Sequence, residues 1–381
     1  MKVLNVLEEG RWGGPQRRVL LVALELKKFN VETIVVLPKN KTEALQKKLK
    51  DGNIAFYAID LHRITKDKRH LFNYIFCFRK EINQLIKIIR QEKIDIVHTN
   101  GSFQFKGVIA ANKTGSKNVW HLNDTYVVKP IKVLFDKYLA HKSNGFFVAG
   151  NRVNNYYLQG KIINAPVVRI TPPVDTATFD PNKITSPALE SYAGLKVTLV
   201  ANWSQIKGHE TFIRMAHEVS KQLSDIEVKF FIVGKFIDNQ KKYFDFIQKL
   251  ISDLNLNNLH LLGQRDDIPA ILKNTDISIC SSHYEASPTV VWEAMSMANP
   301  VISTDVGDVK SILEQYQCGY CVDVQDFKMM AEHTIKLLKN DTLRIEYGEK
   351  ARDAAIRNFA LKSVASRHLE LYRNVLNQVE M

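Results

Sequence analysis

Only four cysteines occur in 381 residues, too few to staple a chain of this size. A disulfide framework is excluded, and reduced thiols are expected. Long hydrophobic runs are missing as well: Val197 to Val200 and Phe230 to Val233 break off within a few residues, far short of the roughly 20 that cross a bilayer. No transmembrane helix is expected. The N-terminus offers Lys2 to Leu7 and then Glu8-Glu9, too short and too soon acidic for a signal peptide, so a cytoplasmic protein is the reading. No internal repeat or low-complexity segment is evident. What is present, 45% hydrophobic and 24% charged residues, is the composition of an ordinary globular chain, and the length suggests two domains.

The charge is unevenly placed. Residues 1–180 hold 30 Lys and Arg against 15 Asp and Glu, whereas the rest of the chain carries a net charge of −2. A basic first half suits an anionic partner: nucleic acid, an anionic membrane surface or a phosphorylated substrate. A solvated lysine-rich surface is the plain alternative, and composition does not choose.

Short apolar runs alternate with longer amphipathic ones. In the first half they lie at Lys2 to Leu7, Val31 to Leu37, Ile54 to Tyr57, Ile94 to His98, Asn118 to His121 and Gly145 to Val148. Residues 81–91 show the helical partner, with Ile82, Leu85, Ile86 and Ile89 on one stripe. A second set follows at Lys196 to Ala201, Val228 to Val233, Leu259 to Leu262, Asp276 to Cys280, Pro300 to Ser303 and Gly319 to Val322. The prolines between Thr171 and Pro187 break the rhythm, which places a boundary near 185. The expected fold class is α/β: two Rossmann-like domains, 1–185 and 186–358, facing a central cleft, with a terminal helix in 359–381 packing back toward the first. Ligands of such sheets bind at the carboxyl ends of the strands.

The segment Ser281 to Gly307 is the most informative. Ser287 is a candidate N-cap and Pro288 suits a first helical position, so a helix should run through Trp292-Glu293-Ala294-Met295. The N–H groups at its start would face a diphosphate. Glu285 precedes the helix, Glu293 lies within it, and ionised carboxylates are strong acceptors for sugar hydroxyls. On their own, the two glutamates read equally well as a cap-region acid and a surface acid.

Glu285-x7-Glu293 with Ala294-Met295 and Pro300 to Gly307 resembles the signature of retaining glycosyltransferases of family 4, which have the GT-B fold. The resemblance extends to Gly13-Gly14 with Arg17-Arg18, Asp95 to His98, Val174-Asp175 to Phe179, Lys207-Gly208, Val233-Gly234, Leu262-Gly263 and Asp276. It implies that Glu293 binds the ribose of a nucleotide-sugar and Glu285 touches the transferred sugar. Thr289 and Val290 would meet the phosphates with backbone N–H, assisted by Ser287, and Lys207 would neutralise the diphosphate leaving group. In the first domain Gly14 would let backbone approach the donor phosphates. His121 matches an active-site histidine, acting as proton carrier or as hydroxyl ligand, with Gly13, Asn123 and Asp124 around the acceptor. No metal and no other cofactor is expected, for the cleft loops lack an obvious Asp-x-Asp pair. No protein nucleophile is nominated.

Three departures stand out. Asn202 replaces the usual arginine five residues before the lysine, so that Lys235 or Arg265 would have to substitute for a two-pronged clamp. Ala286 replaces a glycine, which asks only that φ there be negative. Pro172-Pro173 replaces Asn-Gly at the hinge.

Other candidates read more plainly. His98, taken as ending its strand, is either a structural histidine or an acceptor contact. Cys318-Gly319-Tyr320-Cys321 lacks a second ligand pair and reads as buried thiols. Residues 62–80 join basic side chains to Phe72, Tyr74, Phe76 and Phe78; such a segment could lie in a membrane interface, but core packing of the aromatics is slightly favoured, with the loop from Arg63 to Arg69 touching a membrane. The resulting expectation is a metal-independent, retaining hexosyltransferase using a UDP-sugar in preference to a GDP-sugar. Its acceptor would be a lipid-linked saccharide of bacterial surface polysaccharide (lipopolysaccharide O-antigen or capsule), met at the inner face of the membrane, with no nucleic-acid partner. The rivals are a sugar-nucleotide epimerase of related architecture, a non-catalytic nucleotide-sugar sensor and a nucleic-acid-binding protein.

Overall fold

A computed structural model describes residues 1–378 apart from 66, 124, 126–128, 137–139, 161–163 and 237–239, and without the side chains of 68, 70, 129 and 130. The chain divides into two compact units. Unit 1 is Met1–Pro173 with the chain from Leu361 onward, and unit 2 is Val174–Ala360.

Unit 1 is built on strands β1 (Lys2–Val6), β2 (Glu32–Pro38), β3 (Ala55–Ile59), β4 (Ile96–Asn100), β5 (Lys117–Leu122), β6 (Gly145–Val148) and β7 (Val167–Arg169). All pair in parallel, in the order β3-β2-β1-β4-β5-β6-β7. Most are buried along their length, which is why they read as apolar runs rather than as alternation. Helices α1 (Gly14–Lys27), α2 (Glu43–Asp51), α3 (Lys68–Glu92), α4 (Phe105–Thr114), α5 (Lys129–Leu134) and α6 (Asn151–Tyr157) connect them. The sheet order reverses between β1 and β4, so the loops leaving those two strands flank a topological switch point, the usual place for a ligand.

Unit 2 repeats the plan with β8 (Leu195–Val200), β9 (Val228–Val233), β10 (Leu259–Gly263), β11 (Ile277–Cys280), β12 (Val301–Thr304) and β13 (Gly319–Val322). Their order is β10-β9-β8-β11-β12-β13, again parallel. The helices are α7 (His209–Gln222), α8 (Lys241–Asp253), α9 (Ile268–Lys273), α10 (Thr289–Ser296), α11 (Val309–Tyr316), α12 (Phe327–Leu338) and α13 (Asp341–Phe359). Here the switch lies between β8 and β11. Among the described residues no helix is long and apolar enough to cross a membrane.

The division falls at Val174 rather than near 185, because residues 174–180 are tied to unit 2 by packing and hydrogen bonds. Val174 and Phe179 are buried with Trp292, Met295 and Phe359. The Val174 N–H donates to Phe359 O at 2.7 Å, Arg352 binds Asp180 Oδ1 at 2.8 Å, and Ser296 Oγ donates to Phe179 O at 2.7 Å. The chain leaves unit 2 after Ala360 and returns to unit 1 as α14 (Leu361–Leu376). There Val364, Leu371, Tyr372 and Val375 share a core with Val3, Val22, Ile96 and Phe147. Strand β4 runs two residues beyond the expected end, so His98 lies inside it and Asn100 ends it.

Candidate active site

In unit 2 the loops that leave β8 and β11 are laced together. The His283 N–H donates to Ile206 O at 2.8 Å and Ser281 Oγ to Lys207 O at 3.2 Å. Gly208 makes this approach possible: its φ is +67, and a Cβ there would lie 1.8 Å from Ser281 O. The lacing sets Lys207 against Glu285, whose carboxylate takes the ammonium as an ion pair and also accepts Ser282 Oγ at 3.1 Å. Behind the loop, Thr304 Oγ1 donates to Ser282 O at 2.6 Å, and Gly307 (φ +55) leaves room for Ala286 O, 2.7 Å from where its Cβ would be. Ala286 itself is not among the positive-φ residues, so its replacement of glycine costs no backbone strain. Both partners of the ion pair keep some contact with solvent, 30% for Lys207 and 17% for Glu285, so a ligand can reach the ammonium.

Helix α10 starts at Thr289, one residue later than expected. Pro288, extended at ψ 102, is the N-cap. Ser287 does not cap the helix: its Oγ accepts the Trp292 indole N–H at 3.1 Å and so fixes the entry of the chain. The N–H groups of Thr289 and Val290 belong to the first turn, where a helix supplies no acceptor of its own. Glu293 is 8% exposed on the same helix.

The replacement of arginine by Asn202 has a structural reading. Its Oδ1 accepts the Lys235 N–H at 2.9 Å while Trp203 N–H donates to Lys235 O at 3.0 Å, which joins the loops after β8 and β9. Of the two residues expected to stand in for the missing arginine, Arg265 is paired with Asp267 through two bonds of 2.7 and 2.6 Å while keeping 38% exposure, and Lys235 is exposed on the adjoining loop. Cys318 is buried, and burial pushes its thiol up to about 12, which suits an inert core thiol.

In unit 1, Gly13 is the extended N-cap of α1, and a Cβ added at Gly14 would meet nothing within 4 Å. Open space therefore adjoins the helix start. One turn on, Arg18 is 5% exposed with no carboxylate among its described hydrogen-bond partners. Its guanidinium bonds Asn100 Oδ1 at 2.8 Å and His121 Nδ1, and burial brings it down to about 10. Arginine only donates, so the His121 Nδ1 must accept, and the neutral ring then carries its proton on Nε2. His121, 1% exposed, therefore presents Nε2–H as a hydrogen-bond donor. His98 offers neither ring nitrogen to an acceptor: its Nδ1 lies 2.6 Å from the Tyr372 hydroxyl and its Nε2 is buried with no partner among the described residues. The side chain binds it, not the backbone. Asn123 follows β5, half-buried, and Asp124 lies outside the described residues.

The structure thus brings Lys207 and Glu285 together in unit 2, and Arg18, Asn100 and His121 in unit 1. Sequence reasoning passed over Ser282 and named Arg18 only as part of the resemblance, with no role. For Arg18 a signal existed, because 18, 22 and 26 form one stripe of α1 and Val22 and Leu26 are core. Ser282 offered none, since its role depends on the loop geometry.

His98, His121 and His368 sit within 6.5 Å of one another, ring centre to ring centre. Burial holds His98 and His121 well below 6.5, and His368 at about 3. A depressed histidine contributes stability that is complete above its unfolded value and is lost as pH falls toward the folded one. Each should steepen the acid loss of stability below about pH 6.5 by about 1.4 kcal/mol per pH unit. Thermal unfolding at stepped pH should therefore show a shallower slope for His368→Leu than for the wild type; parallel slopes would contradict this.

Away from these sites, His62, Cys77 and Glu81 offer ligand atoms within 4.8 Å of one another. The cationic position there is filled from within. Lys106, fully buried, pairs with Glu81 and donates to His62 O at 2.7 Å, with its ammonium 4.0 Å from the Tyr74 ring centre.

Comparison with known proteins agrees with this architecture. Residues 191–354 match the family model described as glycosyl transferases group 1, and residues 12–178 match that of glycosyltransferase family 4. The chain is 26% identical over 178 residues to an N-acetyl-alpha-D-glucosaminyl L-malate synthase of Bacillus anthracis, covering 46% of this chain and 45% of that protein. The chain thus spans less than half the length of that relative. It is 24% identical over 311 residues to an Escherichia coli UDP-Gal:alpha-D-GlcNAc-diphosphoundecaprenol alpha-1,3-galactosyltransferase, covering 77% and 79% of the two. A glycosyltransferase structure from Rickettsia africae superposes with a TM-score of 0.84 over 99% of both chains at 22% identity. Two parallel-sheet units, the Glu-x7-Glu loop and both family matches make this chain a member of the family 4 glycosyltransferases, with the GT-B fold.

Proposed function

We propose that the protein is a retaining, metal-independent glycosyltransferase that moves a hexosyl group from a UDP-sugar to a lipid-linked saccharide in bacterial surface polysaccharide synthesis, working at the inner face of the membrane. The observation that carries this is the Lys207–Glu285 pair at the β8/β11 switch, with Glu285 on the loop that runs into the start of α10. In the reaction the bond from the sugar C1 to the diphosphate oxygen breaks and its electron pair stays with the departing UDP, while the acceptor hydroxyl oxygen bonds C1 and its proton passes to the departing diphosphate. A fixed ammonium and the first-turn N–H groups of Thr289 and Val290 answer that charge as it forms, so they lower the barrier without a bound cation. Glu293 takes the ribose hydroxyls and Glu285 the transferred sugar.

In unit 1 the open space at Gly14 admits phosphate, and His121 Nε2–H donates to a substrate hydroxyl. Asn123 and Asp124 fall to the acceptor. The lipid-linked acceptor and the UDP donor are supported by the E. coli relative, whose name specifies both for that enzyme. The test is a nucleotide-release screen of UDP- and GDP-sugars over soluble and lipid-linked acceptors in a chelator, with the anomeric configuration of the product read by NMR. Release from a UDP-sugar only in the presence of acceptor, unchanged by chelation and with retained configuration, is expected. Donor interconversion without acceptor, or loss of release on chelation, would overturn the reading.

A further inference from the structure

Helix α3 has apolar residues on two faces, and the fold uses one of them. At 3.6 residues per turn, Tyr74, Ile82, Leu85 and Ile89 fall on the side that is buried, while Phe72 and Phe76 fall on the opposite pole. There Phe72 is 65% and Phe76 79% exposed, with Ile75 beside them at 67%. The two phenyl rings stack on each other at 6.1 Å. Soluble surfaces scatter such residues singly, and a contiguous group marks a contact.

The charges along this face of the helix have one sign. Arg69 lies a turn before it, Arg79 and Lys80 a turn after it, and Lys87 and Arg90 continue the same face, all exposed. Between Arg69 and Gln91 the helix holds a single carboxylate, Glu81, which is 1% exposed and paired with Lys106. This pattern selects among partners. A second copy docked face to face would set bases against bases. A nucleic acid stacks its bases on ring faces but gives an aliphatic side chain no apolar interior, and Ile75, 67% exposed, belongs to the group. An anionic bilayer accepts both features: aromatic and aliphatic side chains enter the acyl boundary while arginine and lysine reach back to the phosphates.

We propose that the outer face of α3 seats on an anionic lipid surface, with Phe72, Ile75 and Phe76 inserted and Arg69, Arg79 and Lys80 at the headgroups. This deepens the membrane side of the proposed function by naming the surface, and it rests on the helix rather than on the transfer chemistry. Phe72 and Phe76 are exposed rather than packed in the core as favoured from sequence, and the inserted residues lie on the helix rather than in the loop from Arg63 to Arg69.

The test is cosedimentation of the full chain with vesicles of equal parts phosphatidylglycerol and phosphatidylcholine, against phosphatidylcholine alone. The wild type should bind the anionic vesicles at least about tenfold better, and salt should weaken the binding. Phe72→Ser/Phe76→Ser and Arg79→Glu/Lys80→Glu should each lower it about tenfold or more. Ile345→Ser, which alters an apolar residue 62% exposed on α13, should change nothing. No binding by the wild type, binding untouched by the double variants, or self-association abolished by Phe72→Ser/Phe76→Ser in the absence of vesicle binding would each overturn the proposal. UDP titration of the same variants separates the two readings: unchanged UDP affinity with lost vesicle binding supports this surface, whereas absent UDP affinity with intact vesicle binding faults the donor site alone.

Discussion

Lys207→Ala should lower turnover by about 100- to 1000-fold, the usual loss when a charge-stabilising group is removed from a transition state. The companion Glu285→Gln should also lose turnover, but with a different signature. In the free protein Glu285 holds the ammonium of Lys207 and is steadied by Ser282. An incoming diphosphate must draw that ammonium toward itself, against the field of a neighbouring carboxylate. Removing the carboxylate frees the lysine and lifts the repulsion, so donor KM should hold or fall while kcat drops. Removing the lysine should raise KM and lower kcat together. Steady-state kinetics with the UDP-sugar found by the release screen distinguish the two. Equal effects on KM and kcat in both variants would show that the ion pair is a structural brace and nothing more.

Lys106→Met should be the most damaging single change to the fold of unit 1. Both members of the Lys106–Glu81 pair are buried, at 0% and 1% exposure, and burial pulls the Lys106 ammonium below its ordinary value while Glu81 pulls it back. Breaking such a pair leaves a carboxylate stranded in the interior and costs about 3–5 kcal/mol. Replacing both partners with apolar residues removes the stranded charge, so Lys106→Met/Glu81→Leu should recover much of the loss. Recovery will be incomplete, because Glu81 also accepts the His62 N–H at 3.1 Å and holds His62 Nδ1 at 2.5 Å. Calorimetric unfolding of the two single variants and the double gives the coupling directly. Additive losses would mean that Glu81 of α3 and Lys106 of α4 are not coupled.

The strands were legible because buried parallel strands write themselves as continuous apolar runs: β6, β9 and β13 match their expected bounds. The Lys207-Gly208 and Glu-x7-Glu segments fell at a switch point because local chemistry, a left-handed glycine and a helix start, is carried by residue identity. What depends on distant chain was harder to read. The boundary was drawn near 185, within the proline-rich stretch, yet Val174 and Phe179 belong to unit 2 through contacts with Phe359 and Ser296 far along the chain. His98 looked like a residue at a strand mouth because nothing near it in sequence announces Tyr372, its partner 274 residues away. For α3 the periodicity named the residues that share a face, but apolar side chains on both sides left open which face the core would take. Asn202 and Arg265 were weighed by side-chain type alone, and the backbone of Lys235 and the carboxylate of Asp267 had already claimed them.

The central claim is that Lys207 and the start of α10 hold a nucleotide diphosphate without a metal. Isothermal titration of UDP into the chelator-treated wild type and into Lys207→Ala tests it most directly. The wild type should bind, and the variant should bind at least about tenfold more weakly, the loss of one charge-assisted contact. Equal affinity in the two proteins, or binding that appears only when a divalent cation is added, would contradict it.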